Sequence, residues 1–223
     1  MLPRIPVILS LSRYDFAEQF LTKHRAKFPP GDIYDIGAGD GRMRSVVEGI
    51  GLTWRGFDRV PAAPDVEKWD LNEARRPTGN SAAMILMLDV LEHLANPALG
   101  IEHVAQAMAP GGYLLLTMPN PRWSRSRIYA LINGYPACFT QADLDGNGHV
   151  FTPWPHIVEK LLHDAGFEVL EYATLDGRTA WPCGPITIRY PLRVLHAMAN
   201  KFIEQIDPTA CGMSYAFVAQ LRR

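Results

Sequence analysis

Apolar residues along this chain come in short runs separated by stretches of helical spacing, and the alternation is regular over the first half. Ile33, Tyr34 and Ile36 form a β-favouring run that stops at Gly37, Gly39 and Gly41. Met43, Val46, Val47 and Ile50 then recur at helical spacing, and Gly49 with Gly51 supplies the stop. Residues 52–57 read as a second strand finishing in Asp58, and residues 66–71 as a short third segment beyond a proline-rich link at 61–64. The run 82–88 is apolar at every position, which suits a central parallel strand covered on both faces. Asn96-Pro97 opens a helix through Met108, Ala109-Pro110-Gly111-Gly112 stops it, and residues 113–118 form a fifth strand. Residues 167–175 and 215–221 complete a set of seven strands. Further helices are expected over 14–28, 152–165 and 191–206, the last with Leu195, Met198, Phe202 and Ile206 as its apolar positions.

Strands alternating with helices demand a largely parallel sheet with helices on both faces, and such sheets bind ligands at the carboxyl ends of their strands. The glycine turn after the first strand is where a ligand approaches most closely, since glycine accepts positive φ and has no Cβ to hold the ligand off. A dinucleotide fingerprint would put its third glycine at position 42, where this chain has Arg42. The pattern present is Asp35-x-Gly37-x-Gly39-x-Gly41. Asp58 follows Asp35 at the spacing of an acidic residue that accepts hydrogen bonds from ribose hydroxyls, and a solvated loop carboxylate is the alternative.

The turn at residues 35–41 resembles the first motif of the class I S-adenosylmethionine-dependent methyltransferases. Asp89-Val90-Leu91-Glu92-His93-Leu94 looks like the fourth-strand motif of small-molecule methyltransferases of the ubiquinone-biosynthesis type, and the Pro-Gly-Gly stop before the fifth strand is similar too. Looser likeness to methyltransferases encoded with bacterial polysaccharide genes lies in Ser126-Arg127-Ile128, His149-Val150 and Pro153. The core resemblance covers residues 31–120. It implies a Rossmann-like seven-stranded sheet in the order 3-2-1-4-5-7-6, with the seventh strand antiparallel, and S-adenosyl-L-methionine as cofactor. It places Asp35, Gly37, Ala38 and Gly39 at the methionine end, Asp58 and Arg59 at the ribose, Asp70 and Leu71 at the adenine, and Asp89 and Val90 beside the sulfonium. It also implies that residues 1–30 form an N-terminal helical segment packed over the site, with a helix that covers the sheet edge as the alternative.

The long connection 120–152 reads as a cap insert, because long loops in compact domains commonly bind or cover substrate. Its Arg122, Arg125 and Arg127, interleaved with Trp123, Tyr129, Tyr135 and Phe139, suit either an anionic or ring-bearing acceptor or an ordinary amphipathic helix. His149 ends the insert and His93 follows the fourth strand; each is a candidate base for a hydroxyl, and each is equally a residue type that serves locally in structure. Asp143, Asp145 and Asn147 with Gly148 begin like an EF-hand loop, but the twelfth position is Trp154 rather than glutamate, so no metal site is expected. The loop at 181–185 carries no recognisable motif.

Composition narrows the function classes. The 223 residues suit one α/β domain, and a formal net charge of -1 gives no field to gather nucleic acid. Three cysteines without a CxxC pair indicate neither a disulfide framework nor zinc, and no run reaches the roughly 18 apolar residues of a membrane span. The expectation is a cytoplasmic methyltransferase acting on a small molecule, most readily at a hydroxyl of a sugar, lipid-linked or phenolic compound. A nucleotide-dependent oxidoreductase and a binding module without turnover are the alternatives.

Overall fold

The computed structural model describes residues 5–73, 79–183 and 190–222. Residues 184 and 185 of the 181–185 loop, and the first four of the N-terminal segment, lie outside that set. In chain order the elements are β1 (Val7–Ile8), α1 (Arg13–His24), β2 (Asp32–Ile36), α2 (Arg44–Gly49), β3 (Trp54–Asp58), β4 (Val66–Lys68), β5 (Ala82–Leu88), α3 (Pro97–Ala107), β6 (Met108–Pro119), α4 (Ser124–Asn133), α5 (Pro155–Asp164), β7 (Phe167–Thr174), α6 (Tyr190–Ile206) and β8 (Ser214–Leu221).

The strands form one mixed sheet in the order β1-β7-β8-β6-β5-β2-β3-β4. Among the described residues eight strands stand where seven were expected. The added one is β1, which pairs parallel with β7 through Val7 opposite Ala173 and Ile8 opposite Thr174, and so extends the order at that edge. β8 alone runs antiparallel, between β6 and β7. The apolar run of β5 is sided as a doubly covered strand should be. Ile85 and Met87 join Ile101 and Val104 of α3 and Val158 and Leu162 of α5 on one face. Met84 and Leu86 join Phe16, Phe20 and Leu21 of α1 and Val47 of α2 on the other.

Capping chemistry sets the helix starts. Ser12 Oγ accepts from the Asp15 N–H at 3.2 Å while the Asp15 carboxylate accepts from the Ser12 N–H at 3.3 Å, a reciprocal box that opens α1. Asn96 Oδ1 accepts from the Leu99 N–H at 3.2 Å, with Pro97 at the first helical position of α3. Several boundaries differ from the sequence reading: α1 ends at His24 rather than Phe28, and β4 at Lys68 rather than Leu71. α3 ends at Ala107 and β6 begins immediately, because the Pro110-Gly111-Gly112 stretch continues the strand. α5 begins at Pro155, three residues after Thr152, with Trp154 as its cap.

Candidate active site

Four parallel strands end on one edge, and each delivers a site residue there. β2 leads into Gly37, β3 ends in Asp58, the turn after β4 holds Asp70, and β5 leads into Asp89. Between them lies a cleft of about 240 Å³ whose lining includes Gly37, Asp58, Arg59, Asp70, Leu71, Asp89, Val90 and His93. Glycine at 37 is a steric requirement: its φ is 75°, and a Cβ there would lie 2.5 Å from Val90 Cγ2. The turn is fixed by Phe57, whose carbonyl accepts from the Gly37 and Ala38 N–H groups at 2.8 and 3.1 Å.

Asp58 is held by both oxygens. Oδ2 accepts from the Gly39 N–H at 3.1 Å and Oδ1 from the Val60 N–H at 3.0 Å. Each carboxylate oxygen carries a further lone pair. Asp70 is similarly set by its Oδ1, which accepts from the backbone and side-chain nitrogens of Asn72, both at 2.9 Å. Asp35, Ala38, Gly39 and His149 are not among the lining residues. Asp35 sits beneath the glycine turn, 3% exposed, and Oδ2 accepts from Trp54 Nε1 at 3.2 Å. Burial pushes its carboxyl up to about 6, against the pull of the Trp54 bond. Gly56 pairs opposite Asp35, and a Cβ there would meet the Trp54 ring at 2.3 Å, so a small residue is what lets the indole fold back.

Asp89 has φ 58°, a left-handed conformation that aspartate tolerates better than bulkier residues. Thr117 Oγ1 donates to Oδ1 at 2.8 Å, and Arg13 of α1 pairs with Oδ2. Burial raises the Asp89 carboxyl, opposed by Arg13 and Thr117. Arg13 and Trp54 are the two side chains the sequence reading missed. Arg13 lies 76 residues from its partner, and nothing local marks it. The ion pair joins the N-terminal helix to the cleft. Arg13→Ala is expected to lower stability by about 1 kcal/mol, a charge-assisted bond discounted for exposure. Urea unfolding checks this, and an unchanged midpoint would show that the pair contributes nothing.

Around His93, which lines the cleft, three ionisable side chains converge. Glu92, His93 and His149 each offer a ligand atom, all within 4.8 Å of one another. The histidine rings meet edge to face with centroids 4.9 Å apart. Burial and the neighbouring His149 hold His93 below its ordinary value, countered by bonds to the backbone of Asn147 and Gly148. His149 Nδ1 lies 2.7 Å from the Cys138 carbonyl, so the tautomer that donates there leaves Nε2 as an acceptor. Glu92 is fully buried, neither oxygen has a partner, and burial pushes its carboxyl up to about 8. Its backbone carbonyl accepts from Val150 and Phe151 at 2.9 and 3.0 Å, which brings the end of the insert to the cleft.

The rest of the insert departs from expectation. Arg122 and Arg127 both pair with Asp207 Oδ2, at 3.1 and 2.6 Å, and so anchor the insert to the segment before β8 rather than facing an acceptor. Arg125 stacks on Trp123 at 5.4 Å. The EF-hand-like stretch is a π-helical turn, Asp143–Asn147, whose carboxylates cap it: Asp143 accepts from Thr140 and Asn147, and Asp145 from Gln141.

Comparison with known proteins gives a family model described as "Methyltransferase domain", which matches residues 12–172. No curated protein matches the chain. Among solved structures, a SAM-dependent methyltransferase from Archaeoglobus fulgidus is similar at 15% identity and TM-score 0.59, over 94% of this chain and 95% of that one. An S-adenosylmethionine-dependent methyltransferase from Mesorhizobium loti is similar at 17% identity and TM-score 0.54, over 93% and 99%. The magnesium protoporphyrin IX methyltransferase of Synechocystis, with bound SAH, is similar at 15% identity and TM-score 0.56, over 93% and 81%. Likeness at these identities concerns the fold.

Proposed function

Because the chain belongs to the family of methyltransferase domains and uses S-adenosyl-L-methionine, we propose that its acceptor is a small molecule methylated at a hydroxyl oxygen. The residues fit the cofactor. Gly37 and Gly39 leave backbone where side chains would stand, with open space at Gly39, and the carboxylates of Asp58 and Asp70 are fixed through bonds that leave acceptor capacity. In this reading Asp58 with Arg59 holds the ribose, Asp70 with Leu71 the adenine, and Asp35, Gly37, Ala38 and Gly39 the methionine end. Asp89 and Val90 border the reacting centre.

When bound, the cofactor supplies a methyl group already activated by its sulfonium. The chain's task is therefore alignment and removal of the acceptor's proton. His149 takes that proton on Nε2, and the Cys138 carbonyl fixes the tautomer that makes this possible. His93, held neutral beside it, avoids a second positive charge at the same place. The observation that carries O-methylation is this histidine pair beside the cleft, since a base is needed to ready a hydroxyl.

The test is turnover with a panel of sugars and phenols, read as S-adenosylhomocysteine release, followed by mass spectrometric location of the methyl group. His149→Gln should lower kcat roughly 100- to 10,000-fold with S-adenosylhomocysteine affinity unchanged. Full activity in that variant, or a product methylated only at nitrogen or carbon, overturns the proposal.

A further inference from the structure

Among the described residues Glu92 is the one carboxylate whose two oxygens are both buried without a hydrogen-bond partner. Arg13, whose charge also reaches it, is already paired with Asp89. A carboxyl group removed from water without a partner is costly, so its persistence calls for something that meets it. The side chains that approach it are two imidazoles. One ligand atom from each of Glu92, His93 and His149 lies within 4.8 Å of the others. The two segments that carry them are tied by backbone, since the Glu92 carbonyl accepts from the Val150 and Phe151 N–H groups at 2.9 and 3.0 Å. The three donors are therefore in place before anything binds.

Both imidazoles are oriented as metal ligands usually are. A ligating histidine commonly gives its second ring nitrogen to a backbone carbonyl, which fixes the ring and the tautomer. His149 Nδ1 lies 2.7 Å from the Cys138 carbonyl, which leaves Nε2 to accept. His93 rests against the backbone of Asn147 and Gly148, its Nδ1 3.9 Å from where a Gly148 Cβ would stand. The π-helical turn Asp143–Asn147 thus supplies orientation to the site, whereas its own carboxylates are spent on capping.

We propose that Glu92, His93 and His149 bind one divalent first-row transition-metal ion. Two imidazoles with one carboxylate are a donor set that suits zinc or iron(II), whereas magnesium and calcium prefer oxygen throughout. Three protein ligands leave a position open, and one of them, His93, also lines the cofactor cleft. The site goes beyond the proposed reaction and does not rest on it, because the ion binds whichever acceptor atom is methylated. For a hydroxyl acceptor it changes how the oxygen is readied. His149 Nε2, once a ligand, takes no proton. The oxygen instead binds the ion at the open position, its O–H bond breaks, and the proton leaves to solvent. In the ion-free chain His149 remains the base.

The experiment is titration of the tag-free, chelator-stripped full chain with cobalt(II), followed by visible absorption, and displacement of the cobalt by zinc. One ion should bind per chain, and excess magnesium or calcium should not displace it. His149→Gln and Glu92→Gln should each weaken cobalt binding more than about 100-fold, since even a partner of a ligand is worth roughly 10- to 100-fold. Circular dichroism and S-adenosylhomocysteine binding should be unchanged in both. X-ray absorption of the zinc-loaded wild type should find two imidazole ligands, a reading that needs no variant. Absence of a cobalt spectrum in the wild type overturns the proposal, as does any other imidazole count. Undiminished binding by either variant places the ion on other side chains, and a thiolate charge-transfer band places it on a cysteine; each overturns the assignment. The titration needs no acceptor, so its failure leaves the hydroxyl reading standing, and a product methylated at nitrogen or carbon leaves the metal site standing.

Discussion

Asp58→Ala should weaken S-adenosylhomocysteine binding about a hundredfold in a calorimetric titration, with the protein still folded. The estimate follows from two hydrogen bonds to an ionised acceptor at roughly 1.5 kcal/mol each. Asp58 is well placed to supply both, because the N–H groups of Gly39 and Val60 already fix its plane at the end of β3. The same bonds mean that alanine frees two backbone donors in a partly solvated loop, which water can satisfy. Asp58→Asn separates the contributions: it keeps an acceptor of the same size and loses the charge, so its affinity should fall between wild type and alanine. A loss below fivefold in Asp58→Ala would remove the ribose assignment and leave Asp58 as a fastener of the glycine turn.

Glu92→Gln should stabilise the protein at alkaline pH. The carboxyl is fully buried without a partner for either oxygen, so the folded state keeps its proton up to about pH 8, whereas the ordinary value is 4.5. The stability this group contributes is complete below its unfolded value and is lost as pH rises through the folded one. Glutamine keeps the shape and never ionises. Urea unfolding near pH 5 should therefore find the two proteins alike, and at pH 9 the variant should be ahead by on the order of 3 kcal/mol. A glutamine variant less stable than wild type at both pH values would mean that Glu92 is ionised and bound by a cation. In the proposed reading this cost falls beside the candidate bases His93 and His149, and perturbed groups gather at active sites.

The sheet and the cleft were legible in the sequence because their signals are local. The glycines after β2, the unbroken apolar run of β5 and the acidic residues at strand ends each state a backbone requirement within a few positions. Gly37, Asp58, Asp70, Asp89, Val90 and His93 are accordingly brought to one cleft. What escaped depends on distance. β1 is two residues long and exists only because the edge of β7 is there to pair with it. Arg13 and Trp54 become site neighbours through partners 76 and 19 residues away. Arg122 and Arg127 looked free for an acceptor because Asp207, the carboxylate that takes both, comes 80 or more residues later. The outward turn of Leu195, Met198, Phe202 and Ile206 on α6 was hidden for a related reason. Periodicity locates an apolar stripe but does not say what it faces, and here buried Glu204 and Asn200 settle the orientation.

The position of β8 bears on how the molecule is made. It is the last in sequence of the eight described strands, yet it lies inside the sheet, pairing with β6 through seven register positions and with β7 on its other side. During synthesis β6 and β7 emerge with a vacancy one strand wide between them, and both exposed edges wait for residues 214–221. Until these are released, the growing chain carries two open strand edges, the kind of surface that pairs with other chains. Closure of the fold thus waits for residues 214–221, and damage near residue 214 would reach the centre of the sheet.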